Sequence, residues 1–153
     1  MRARLLLLSA LLAACGPAWA CQRIIQITLT FADASADLDR AQIVRLAGWI
    51  ADANAMFATY TSAGVEAGAT AMPAARTQKE TVQLARMRAD NVALALKTLF
   101  PAPLDVETFA HAYREKRDSD IQANDFAAIQ LYPDLSTSKL PGCNPGLPDG
   151  LKR

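Results

Sequence analysis

One histidine, His111, is all the imidazole this 153-residue chain has. Acid–base or nucleophilic chemistry at it would need a nucleophile and an orienting acid close by. His111 falls in an alternating run, Val106 to Tyr113, on the same face as Glu107, Phe109 and Tyr113. A half-exposed strand histidine there needs no chemical role. The chain contains no G-x-S-x-G, no P-loop and no G-x-G-x-x-G. Its carboxylates are scattered rather than paired in an apolar setting, so the expectation is a protein without catalysis or cofactor. A metal site is not expected either, with one histidine and no close cysteine pair beyond residue 20.

Arg86 and Arg88 are the other side chains of interest. Both lie early in a helical pattern that follows a glycine-bearing strand and a loop. Arg88 sits at the margin of the apolar face, so its head can reach the groove beside the strand–loop junction. A guanidinium there can clamp a carboxylate with two N–H groups, or lay its stem along the sheet edge with its head in water.

The elements that would position these groups read as follows. Ile24 to Phe31 alternates, with Ile25, Ile27, Leu29 and Phe31 on one face, and predicts a strand with one covered side. Asp37 can cap a helix over 38–57, whose stripe is Ile43, Leu46, Ala47, Ile50, Ala53 and Phe57, with Trp49 on its flank. Tyr60 to Thr70 predicts a second strand built of small residues, followed by a loop to Arg76. Thr77 and Glu80 have capping-box spacing ahead of a helix over 78–100, which Pro101 stops. Val106 to Tyr113 and Phe126 to Tyr132 predict two more strands, joined as a hairpin through the charged stretch 114–120. The order β-α-β-α-β-β implies an α/β two-layer sandwich with both helices on one face of a mixed sheet.

Met1 to Ala20 has the order of a secretory leader: Arg2 and Arg4, an apolar run from Leu5 to Ala14, then Ala18-Trp19-Ala20. The apolar run is too short for a permanent bilayer span, and no later stretch is apolar enough. Cleavage after Ala20 is preferred. Leu12-Ala13-Ala14-Cys15 also resembles a lipobox, in which Cys15 would carry lipid. Either cut leaves Cys21 and Cys143, which are expected to form a disulfide in an oxidising compartment. The expected organisation is a leader over 1–20, one domain over 21–135, and an irregular tail over 136–153 tied back by Cys143. Removing residues 1–20 turns the net charge from +1 to −1. So balanced a chain has no electrostatic claim on nucleic acid or anionic lipid.

The pattern over about residues 24–134 resembles the OmpA-like periplasmic domain, the peptidoglycan-binding module of outer-membrane proteins and peptidoglycan-associated lipoproteins. That family carries Gly-His-Thr-Asp at the end of its second strand and Leu-Ser-x-x-Arg-Ala in its second helix. The corresponding stretches are Gly68-Ala69-Thr70-Ala71 and Leu84-Ala85-Arg86-Met87-Arg88-Ala89, followed by Asn91-Val92. The resemblance implies a periplasmic envelope module whose acid takes the ammonium of diaminopimelate while its arginine takes the carboxylate. Arg88 fills the arginine position, with Gly68, Thr70 and Ala71 beside it. Ala71 replaces the aspartate, Thr81 an asparagine, and Ala127-Ala128 a basic pair. The implied site is therefore degenerate. The partner is either peptidoglycan or, if peptidoglycan binding has been lost, another envelope protein.

Overall fold

Alternation of apolar and polar side chains over IQITLT makes β1 (Ile25–Thr30), whose burial alternates in the same rhythm. The computed structural model of the chain describes residues 24–32, 34–71, 76–114 and 125–140. The expected leader, Cys15 and the Cys21–Cys143 bridge lie outside the described residues.

After β1 come α1 (Arg40–Met56), β2 (Tyr60–Ala71), α2 (Gln78–Leu99), β3 (Val106–Arg114), β4 (Phe126–Pro133) and a short turn of helix at Leu135–Thr137. Two helices pack on one four-stranded mixed sheet, the expected two-layer class. Among the described residues no helix is long and apolar enough to cross a membrane.

The strand order is β1-β4-β2-β3, which corrects the expected hairpin between the last two strands. β4 lies antiparallel to both β1 and β2, while β3 runs parallel to β2 at the edge. The physical reason is burial. Ala127, Ala128, Ile129 and Leu131 in β4 are buried on both faces, as a central strand requires. Glu107, Thr108, Phe109 and His111 in β3 are exposed, which suits a strand with one neighbour.

α1 begins later than the expected Asp37 cap. Asp39 is the N-cap, its Oδ1 accepting from the Gln42 N–H at 2.8 Å. Its buried stripe is Leu46, Ile50 and Ala53, closed by Phe57. Ile43 and Ala47, expected in that stripe, are exposed. Trp49 covers an edge of the core, as its flank position implied.

α2 is capped as its spacing predicts. Thr77 Oγ1 accepts from the Glu80 N–H at 3.3 Å, and the Glu80 carboxylate accepts from the Thr77 N–H at 2.7 Å. Thr77→Ala is expected to lower stability by about 1 kcal/mol, measured by urea denaturation. The backbone hydrogen bond from Thr77, reinforced by the Thr77 hydroxyl, holds the Glu80 carboxyl below its ordinary range. A depressed folded value stabilises the protein above the unfolded value, and that contribution disappears as pH falls through the folded one. Glu80→Gln should therefore flatten the acid limb of the stability–pH curve.

The buried side of α2 carries Ala85, Ala89 and Ala93 between the larger Leu84, Arg88, Val92 and Leu96, and β2 and β4 present buried Ala67, Ala69 and Ala127.

Candidate functional site

Arg88 lies on the buried side of α2 and is 0% exposed, the largest fully buried side chain among the described residues. A charged group so placed is tolerated only when its donors are met. Four of them are. Nε donates to the Ser35 carbonyl at 2.8 Å, Nη2 to the Ala32 carbonyl at 3.2 Å, and Nη1 to the Gly68 carbonyl at 2.8 Å. The second Nη1 hydrogen goes to Oδ1 of Asp125, in a buried ion pair. The guanidinium carbon stands 5.0 Å from the centre of the Phe31 ring, a distance at which cation and ring attract.

Three elements therefore converge on one side chain. The segment after β1 wraps round it through Ala32 and Ser35, with Ala34 in the left-handed region at φ 59°. Asn91, one turn further along α2, ties the same segment by donating to the Ala36 carbonyl at 2.9 Å. β2 contributes Gly68, and the start of β4 contributes Asp125. Asp125 is 3% exposed, and its own carbonyl accepts from the Phe31 N–H at 3.0 Å, fastening β4 to the end of β1.

Of the residues the sequence singles out, the structure brings Arg88 and Gly68 together. Thr70 and Ala71 continue β2 beyond Gly68, both buried, opposite Tyr113 and Arg114 in the ladder. Arg86 is exposed on the other side of α2. Asp125 was not singled out. The signal for it was indirect: an arginine within an apolar helix face demands a carboxylate, and Asp125 stands at the mouth of the most apolar strand.

His111 lies on the sheet face away from the helices, with its side chain 51% exposed and Nε2 3.6 Å from the Glu66 carboxylate. Neighbouring Tyr113 has its hydroxyl pKa raised by burial, with a further push from Glu66. Among the described residues no group of three His, Cys, Asp or Glu side chains is placed to hold a metal.

In fold the chain is similar to two crystal structures of the periplasmic domain of Helicobacter pylori MotB. The first gives a TM-score of 0.55 at 18% identity, covering 74% of this chain and 75% of that one. The second gives 0.54 at 14% identity, covering 76% and 81%. The OmpA-like domain of FopA1 from Francisella tularensis gives 0.49 at 17% identity, covering 72% and 76%. No family model matches the chain, and no curated protein matches it in sequence. The likeness is one of architecture: the chain shares the fold of the MotB periplasmic domain.

Proposed function

We propose that this protein is an exported, non-catalytic module of the bacterial cell envelope, whose stem-peptide site has been closed from within. The observation that carries this reading is the Arg88–Asp125 pair. In the resembled family the arginine takes a carboxylate of the bound peptide. Here the chain supplies that carboxylate itself, while Ala71 stands where the ammonium's acidic partner would be. A peptide carboxylate entering the site must displace Asp125 and leave it buried without its cation, at a cost of about 2–5 kcal/mol. The fold shared with the MotB periplasmic domain supports a periplasmic setting. The leader over 1–20, the Cys21–Cys143 bridge and the alternative lipid anchor at Cys15 belong to the same reading.

Sedimentation with purified peptidoglycan tests it. Wild type is expected to be retained weakly, and Asp125→Asn more strongly, because the substitution removes the competing charge. Equal retention of the two would remove Asp125 from the account. A second reading, an accessory docked on another envelope protein, is favoured by the methyl group at Ala71. Absence of retention for both proteins, with a protein captured by crosslinking in cells, would select it.

A further inference from the structure

Among the described residues, β3 has a neighbour on one side only. The Ala63 N–H donates to the Asp105 carbonyl at 2.8 Å, and Ala63 lies opposite Val106 in the parallel ladder. Successive residues of a strand direct their backbone groups to alternate sides. Glu107, Phe109 and His111 therefore bond towards β2, while Val106, Thr108, Ala110 and Ala112 turn their N–H and C=O groups to the outer edge. An edge of this length is a template for another strand. Proteins usually block such edges with proline, lysine or a bulge. The sequence VETFAHAYR contains neither proline nor lysine, and its register with β2 is unbroken.

We propose that the outer edge of β3 receives a second copy of this chain, antiparallel, about a two-fold axis at Phe109. In that register Phe109 faces Phe109 of the copy, and Glu107 faces the copy's His111. Both are non-hydrogen-bonded pairs, the kind that brings facing side chains closest. Thr108 and Ala110, and Val106 and Ala112, exchange the backbone hydrogen bonds. The side chains concerned are accessible: Phe109 is 50% exposed, Glu107 is exposed, and His111, beside Glu66 of its own chain, keeps 51% of its side chain exposed.

The argument for a second copy, rather than an unrelated strand, is self-complementarity. Two-fold pairing sets the residue two before the axis against the residue two after it, and here those are an acid and an imidazole. Moving the axis one residue, to Ala110, would set Glu107 against Tyr113 and Phe109 against His111, losing both matches. The helix layer accommodates the join as well. α2 packs over β2 and β3, so the two copies of α2 would stand roughly two strand spacings apart, about 10 Å, a usual helix-packing distance.

Sedimentation velocity of the full chain over a concentration series tests this. A concentration-dependent dimer is expected. Phe109→Glu sets two carboxylates face to face and removes an aromatic pair, weakening the dimer roughly tenfold or more, with the thermal transition of the dilute monomer unchanged. Glu107→Lys weakens it too, and adding His111→Glu restores it. A chain that stays monomeric throughout the series, or a dimer that Phe109→Glu leaves intact, would overturn the proposal.

Discussion

Asp125→Ala is expected to lower the free energy of unfolding by about 3–5 kcal/mol, read by urea denaturation at neutral pH. The loss comes less from the missing attraction than from what remains, a guanidinium enclosed by protein with its counter-charge gone. Because the pair is out of water, the difference from wild type should change little between low and high salt. Asp125→Asn should cost less, since an amide oxygen can still accept from Nη1. The double variant Arg88→Met with Asp125→Leu separates two effects. It removes both charges, but it also strips donors from the carbonyls of Ala32, Ser35 and Gly68. Stability should therefore recover only partly. Full recovery would mean that those carbonyls are met by water. A loss under about 1 kcal/mol for Asp125→Ala would mean the pair behaves like a surface one.

Phe57→Ala should cost a comparable amount, about 3–5 kcal/mol. Phe57 is fully buried where α1 hands over to β2. Its ring meets the edge of Tyr60 at 6.2 Å, and Tyr60 in turn meets Phe100 at 5.5 Å. Tyr60 provides an independent readout. Burial pushes its hydroxyl from 10.0 up to about 12. A raised folded value gives stability that is complete below the unfolded value and lost as pH climbs through the folded one. Wild type should accordingly weaken between pH 10 and about 12. The cavity left by Phe57→Ala admits water to Tyr60, so its hydroxyl should titrate closer to its ordinary range in an ultraviolet pH titration. An unchanged titration with a small stability loss would mean that the aromatic cluster closes over the gap.

These two sites show how much was legible in the residues alone. β1 and α2 were readable because local signals coincided with burial: a period of two over Ile25–Thr30, and a capping box at Thr77 ahead of a helix ended by Pro101. For Arg88 the residues gave a place at the margin of the apolar face and left its head either in the groove or in water, and its complete burial came only with the structure. Strand order was not readable as drawn, because adjacency in sequence suggested a hairpin, while burial of Ala127 to Leu131 drew β4 into the sheet. Asp125 was missed for a related reason. Its partner lies 37 residues away, and no local periodicity reports a charge pair of that separation. The carbonyls of Ala32 and Ser35 carry no side-chain signal at all.

The central position of β4 also dictates when the domain can exist. A chain emerging from its N-terminus can assemble β2, α2 and β3, whose contacts are near in sequence, but β1 has no strand to pair with until Phe126–Pro133 arrives. Closure of the sheet and delivery of the carboxylate to Arg88 then coincide, since Asp125 immediately precedes that strand. Interactions so distant along the polymer form slowly. The unit of β2, α2 and β3 can thus form early, while β1 stays unpaired and Arg88 uncompensated until β4 arrives.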